Sequence, residues 1–230
     1  MRLGVREVAE RMGVSEDMVF RWVDRENLPA SRVDGQFRFS PAAVYEWATS
    51  RGVPIAGDLF EESSAAPGAP LAHALRRGGI VEGLKGDDRS AVLHAAVARL
   101  DLPAHADREV ILNMLLARDK LGSSAIGRGF AVPHVRNPIV LRVTEPLATL
   151  FLLEHPIEFG ALDRRPVHSL FLLITGTMHS HLMLLSRLAS VLQDEGVCAA
   201  IEKRAPAREI LAEVERAETR LDRGSEKGSS

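Results

Sequence analysis

Apolar positions in the first fifty residues recur at helical spacing. Val5, Val8, Ala9 and Met12 form one short stripe that stops at Gly13, a residue suited to ending a helix. Met18, Val19, Trp22 and Val23 form a second stripe, with Ser15 as its N-cap and Glu16 and Asp17 at the positive end of its dipole. Leu28 and Pro29 then halt the helix. Residues 31–33 and 36–39 read as two strands joined across Asp34 and Gly35, a pair that tight hairpin turns favour. Ser40 as cap and Pro41 in the first turn predict a helix over 42–48, with Val44 and Trp47 turned inward.

Periodicity disappears over residues 56–70, where Gly57, Ser63, Ser64, Pro67, Gly68 and Pro70 crowd together, so this stretch is expected to be a linker. Beyond it, helical and strand-like segments alternate, the pattern of an α/β domain. Val92, Leu93, Ala96, Val97 and Leu100 make one helix face, and Ile111, Met114 and Leu115 another that begins at Asp107 and ends with Arg118. Residues 126–132, 147–153 and 167–175 are the best strands; the last two are nearly continuous apolar runs, as expected in a sheet covered on both faces. Helical spacing returns over 181–193, 196–202 and 206–220. The organisation expected is residues 1–55, a linker at 56–70, an α/β domain at 71–221 and a disordered tail at 222–230.

Composition narrows the function classes. The formal charge of −2 over 230 residues argues against a protein that coats nucleic acid or an anionic membrane without discrimination. Residues 1–55 themselves carry equal numbers of arginines and acids, so DNA recognition there would depend on a few side chains and on a homodimer reading two half-sites. No basic-then-apolar leader follows Met1 and no apolar stretch is long enough to span a bilayer, so a cytoplasmic protein without membrane insertion is expected. The single Cys198 excludes an internal disulfide and a multi-cysteine zinc site.

Residues 3–48 resemble the excisionase/MerR-like winged helix-turn-helix family. The resemblance implies that the second helix enters the major groove and that the hairpin, as a wing, touches the backbone. Ser15, Glu16, Arg21 and Arg25 would lie on or near the recognition helix, and Arg32, Gln36 and Arg38 on the wing. Arginine suits this work because its planar fork donates two parallel hydrogen bonds to phosphates and guanine edges. The bland alternative is a solvated charged face on a protein-binding module.

The most informative segment is residues 117–138. Gly127 and Gly129 do not open a dinucleotide fingerprint, because Val132 stands where the third glycine belongs, and no Gly-Lys-Ser/Thr phosphate loop occurs. Instead a strand ends in Pro133 and His134. Taken alone, a histidine after proline is more often structural than catalytic. The segment, however, resembles the phosphoryl-accepting motif of the phosphotransferase-system enzyme IIA proteins of the mannitol/fructose and nitrogen-regulatory class: Asp119, Ile126, Gly127, Ala131, Val132, Pro133 and His134 match it. Phe130 replaces the usual aliphatic residue and Val135 the usual small one. An arginine before the acceptor, Arg118, and a second histidine after it, His181, also fall at the family's spacing.

The resemblance implies an α/β fold, a mixed β-sheet flanked by helices, covering residues 71–215. It implies His134 as the phosphoryl acceptor through Nε2, with Arg118 and His181 beside the transferred group, and an HPr-type phosphocarrier as donor. Ser123 and Ser124 are further candidate phosphate donors of hydrogen bonds. Transfer between histidines in that family requires neither metal nor other cofactor, and a zinc site built from His134, His179 and His181 lacks an acidic or thiolate ligand. The chemistry fits, since phosphoryl transfer asks of a protein mainly an in-line nucleophile and groups that stabilise the equatorial oxygens. With a DNA-binding module attached and no IIB-like cysteine, the expected function is a regulatory phosphocarrier whose phosphorylation governs a transcriptional output. The alternatives are a DNA-binding regulator whose IIA domain is never phosphorylated, and an adaptor that acts on a kinase or transporter by contact.

Overall fold

The computed structural model describes residues 3–33, 35–40, 43, 44, 47, 48, 51, 53, 70–102, 106–135 and 145–227. Apart from Pro70, the expected linker lies outside these residues, as do Asp34 of the expected hairpin turn and Pro41 of the expected helix start. The chain divides into two compact units, residues 1–66 and 67–230.

The first unit opens with helix α1 (Val5–Met12), which buries Val8, Ala9 and Met12. Gly13 ends it at φ 65°, a left-handed conformation that costs glycine little and lets its N–H return to the carbonyls of Ala9 and Glu10. Helix α2 (Glu16–Arg25) follows, its first turn capped by the Ser15 hydroxyl oxygen, which accepts from the Met18 N–H at 3.3 Å. Strands β1 (Ser31–Val33) and β2 (Gln36–Arg38) pair antiparallel. Phe39, expected to end the second strand, instead exchanges two 2.9 Å hydrogen bonds with Leu3 and so ties the chain start to the hairpin. Phe39, Val8, Val19, Leu28 and Val44 are wholly or almost wholly buried. Trp22 and Trp47 pack with ring centroids 4.9 Å apart, and the Trp47 indole N–H donates to the Glu26 carbonyl at 2.9 Å.

In the second unit, helix α3 (Leu71–Gly78) leads into β3 (Ile80–Leu84), then α4 (Arg89–Arg99) and α5 (Arg108–Asp119). Strands β4 (Ala125–Gly127), β5 (Phe130–Ala131), β6 (Leu147–Ile157) and β7 (Val167–Ile174) follow. Helices α6 (Met178–Val191), α7 (Glu195–Glu202) and α8 (Ala207–Lys227) complete it. The sheet order is β3-β6-β7-β5-β4. It is mixed: β3 with β6 and β5 with β7 are parallel, β6 with β7 and β4 with β5 antiparallel.

The apolar runs of β6 and β7 serve both faces, because side chains alternate along a strand. Leu147, Phe151, Leu153, Leu170, Leu172 and Ile174 join one cluster with Val92, Ala96, Ile111 and Leu115 of α4 and α5. The complementary residues, among them Ala148, Leu150, Phe171 and Leu173, are equally buried, and α3 packs along β6. Gly78 is forced by that packing: a Cβ there would stand 2.2 Å from the Ala148 carbonyl oxygen. The N-terminus of α3 has no local side-chain cap and takes one from α8: the Glu218 carboxylate accepts from the N–H groups of Leu71 at 2.7 Å and Ala72 at 2.9 Å.

Several expectations are corrected. Residues 126–132 do not form one strand but two short ones with a tight turn between, since Gly127, Arg128 and Gly129 all take positive φ (87°, 55° and 81°). Strand β3 lies where no strand was expected, and β6 runs four residues past the expected end. Helix α6 starts at Met178 rather than 181, because Thr177 is the residue whose hydroxyl caps it. The tail expected to be disordered from 222 is helical to Lys227, as a continuation of α8.

Candidate functional site

His134 lies just beyond the end of β5. Its position is set by the backbone: the Val132 N–H donates to the Ser124 carbonyl at 2.9 Å, and His134 itself bridges to Leu173 of β7 in parallel fashion. The ring turns back on its own chain, so that Nδ1 lies 2.8 Å from the Val132 carbonyl oxygen. A carbonyl only accepts, so Nδ1 must carry the hydrogen, and in the neutral ring the lone pair falls on Nε2. The ring is 7% exposed.

Helix α6 brings His181 to the same place. The two imidazole centroids are 5.3 Å apart with planes inclined at 45°. Capping by Thr177 at the helix start and the bond from the His181 N–H to the Thr177 carbonyl fix the first turn from which the ring projects. His181 Nδ1 lies 3.3 Å from the Thr175 hydroxyl, and its Nε2 is buried without a hydrogen-bond partner among the described residues. Burial first, and then the neighbouring His134, push the pKa of His181 down to about 3, so it is neutral at physiological pH.

Arg118 occupies the last turn of α5, 8% exposed, and its Nη1 donates to the Gly122 carbonyl at 2.9 Å. That loop runs through Ser123 and Ser124 to β4, and Ser124 is the residue bonded to Val132 two positions before His134. The loop of Arg118 and the segment of His134 are therefore hydrogen-bonded neighbours. The Ser123 hydroxyl donates to the Phe159 carbonyl and accepts from the Ala125 N–H, which makes it a brace for the loop. Ser124 is buried. The two departures from the motif both lie in the interior: Val135 in the core cluster, and Phe130 against the rings of His168 and Phe171.

Sequence reasoning missed the Val132 carbonyl, which sets the tautomer of His134, and the Thr175 hydroxyl, which lies beside Nδ1 of His181. A carbonyl has no sequence signature, and Thr175 reads only as a strand end. Among the described residues no group of three or more His, Cys, Asp or Glu side chains gathers as a metal site would. Cys198 is buried in α7, where its thiol donates to the Leu192 carbonyl and burial raises its pKa, so it is an inert thiol.

In the first unit, Arg21 and Arg25 are exposed on α2, while Ser15 uses its oxygen as the helix cap. On the hairpin, Arg32 lies over the Phe37 ring at 4.9 Å, and Arg38 donates to the Gln36 side-chain oxygen at 3.1 Å.

Residues 75–217 match the family described as "Phosphoenolpyruvate-dependent sugar phosphotransferase system, EIIA 2", and residues 2–52 match "Helix-turn-helix domain". The chain is similar to the "Nitrogen regulatory protein" of Pseudomonas aeruginosa, 32% identical over 148 residues that cover 63% of this chain and 93% of that one. The "Nitrogen regulatory protein" of Bradyrhizobium diazoefficiens is 28% identical over 145 residues, covering 62% and 93%. Among solved structures, the nitrogen regulatory protein IIA-Ntr of Neisseria meningitidis aligns with a TM-score of 0.52 at 26% identity, over 63% of this chain and 94% of that one.

Proposed function

Since the chain belongs to the phosphoenolpyruvate-dependent sugar phosphotransferase system EIIA 2 family and carries a helix-turn-helix domain ahead of the matched segment, we propose that it is a regulatory phosphocarrier: His134 accepts a phosphoryl group from an HPr-type donor, and its occupancy governs DNA binding by the first unit. One observation carries this reading. The His134 ring is held by its Nδ1–H on the Val132 carbonyl with a second imidazole 5.3 Å away whose buried Nε2 has no hydrogen-bond partner among the described residues.

The Nε2 lone pair of His134 attacks the phosphorus of the donor phosphohistidine; the new N–P bond forms as the donor's N–P bond breaks, and the donor nitrogen recovers its electron pair. No proton need move. The positive charge that develops on the His134 ring is stabilised by the Nδ1–H bond to Val132. With the Thr175 hydroxyl donating to Nδ1 of His181, that neutral ring carries its proton on Nε2, the tautomer able to donate to a phosphoryl oxygen and so satisfy an otherwise costly buried nitrogen. Arg118 supplies a fixed positive charge from the last turn of α5, which leads into the loop bonded to the His134 segment.

The relay ends at His134 in this chain. The only cysteine is buried, and among the described residues no helix is long and apolar enough to cross a membrane. Phosphorylation adds roughly two negative charges, enough to change which surfaces associate. Arg21 and Arg25 on α2, with Arg32, Gln36 and Arg38 on the hairpin, are the proposed DNA-contacting groups.

Incubation with labelled phosphoenolpyruvate and the general phosphotransferase proteins is expected to place one acid-labile phosphate per chain, absent in His134→Ala. Label that persists in that variant refutes the assignment of the acceptor. Protection of DNA that is the same for phosphorylated and unphosphorylated protein, at one stated salt concentration, refutes the coupling.

A further inference from the structure

A cavity of about 480 Å³ opens at the opposite end of the sheet from His134. Strand pairing locates it: Gly129 and Ser169, which line it, lie at the starts of β5 and β7, while His134 bridges Leu173 near the end of β7. At the rise of a β-strand this separates the two places by roughly 13–16 Å. The cavity is thus no part of the histidine site.

Its floor is apolar and its rim is cationic. Leu152 and Ile201 are each 1% exposed, and Pro156 and Pro166 add further carbon surface. Around them stand the exposed arginines Arg128, Arg165 and Arg204, with Glu202 the one carboxylate in the lining. Among the described residues none of the three guanidiniums forms a salt bridge. The lining itself is therefore net cationic, although the Asp163 carboxylate, which accepts from the backbone N–H groups of Arg128 at 2.7 Å and Arg165 at 3.2 Å, offsets part of that charge.

Two of these cations are held in place at a conformational cost. Arg128 and Arg204 take φ of 55° and 51°, a left-handed region that side chains other than glycine seldom adopt. Each anchors one guanidinium nitrogen on a backbone carbonyl, Arg128 on Leu192 at 3.2 Å and Arg204 on Leu153. This leaves the rest of each fork to donate elsewhere. The turn carrying Arg128 is itself pressed onto the sheet: a Cβ at Gly129 would stand 2.4 Å from His168 Nε2, so only glycine permits the approach.

We propose that this cavity binds a small organic phosphate monoester, its phosphate held by the forks of Arg128, Arg165 and Arg204 and its carbon body resting on Pro156 and Pro166. A dianionic phosphate suits a net cationic rim, and guanidinium forks pair with it bidentately. The volume lies in the range of small-molecule sites and exceeds what inorganic phosphate alone would fill.

Calorimetric titration of the full chain with ribose 5-phosphate and with AMP tests this. At least one is expected to bind, with affinity lowered at least about tenfold in Arg204→Gln and in Arg165→Gln, and unchanged in His134→Ala. Arg165 is exposed and its replacement leaves the fold intact, which circular dichroism verifies. Absence of binding by both probes at about 10 mM overturns the proposal. So does binding insensitive to the arginine replacements, or citrate binding as tightly as the phosphate esters. Binding lost in His134→Ala would place the ligand at the histidine site and overturn it equally, whereas failure of phosphotransfer to His134 would leave it standing.

Discussion

Replacing His181 with Gln should remove about 2 kcal/mol of the acid sensitivity of the second unit between pH 7 and pH 5. Burial beside the His134 ring holds the folded-state pKa of His181 at about 3, against about 6.5 in the unfolded chain. The unfolded state therefore takes up a proton in this window and the folded state does not. Stability is fully present above the unfolded pKa and falls as pH drops toward the folded one. From those two values the loss between pH 7 and pH 5 comes to about 2 kcal/mol, roughly 1.4 kcal/mol for each unit of pH below 6.5. His168, whose pKa burial also lowers, contributes to both proteins and cancels in the comparison. Urea unfolding followed at 222 nm at both pH values measures the difference. The only tryptophans, Trp22 and Trp47, lie in the first unit, so their fluorescence follows that unit separately. Wild type should lose about 2 kcal/mol more than His181→Gln on acidification, and equal losses within about 0.5 kcal/mol would refute the buried neutral imidazole. Because the readout is a pH slope, a uniform destabilisation by glutamine leaves the test intact.

Two further outcomes follow from packing. Glu218→Ala removes the cap that α8 supplies to α3, two charge-assisted hydrogen bonds to backbone N–H groups, and should cost about 2–4 kcal/mol in the second-unit transition while the tryptophan transition stays in place. Gly78→Ala drives a Cβ into the Ala148 carbonyl, 2.2 Å away, and should cost about 3 kcal/mol or more by the same denaturation, because the obstacle is backbone that cannot rotate aside.

Much of this protein was legible in one dimension. Helical stripes ending at Gly13 and starting at Ser15 are local events, governed by the conformational freedom of glycine and the reach of a serine hydroxyl, and they place α1 and α2 without reference to the rest of the chain. The apolar runs of β6 and β7 likewise announce strands buried on both faces. His134, His181 and Arg118 became candidates through the resemblance of their segments to a family motif, which is a property of sequence order, while the meeting of the two imidazoles at 5.3 Å is a property of the fold.

Other features exist only because distant segments meet. The run from 126 to 132 looks like one strand, yet two glycines and Arg128 at positive φ fold it into a hairpin whose turn rests on His168. Strand β3 contains Glu82 and Gly83, a weak strand pattern, and exists because β6 lies beside it to accept the pairing. Glu218, one more acid on a helix by its pattern, is buried at 5% exposure because α8 crosses the start of α3. Proximity decides the chemistry too. The tautomer of His134 depends on a carbonyl and the neutrality of His181 on desolvation. The cationic rim of the cavity is assembled from a hairpin turn, a strand approach and a helix end, since charge and burial are summed over space and not along the chain.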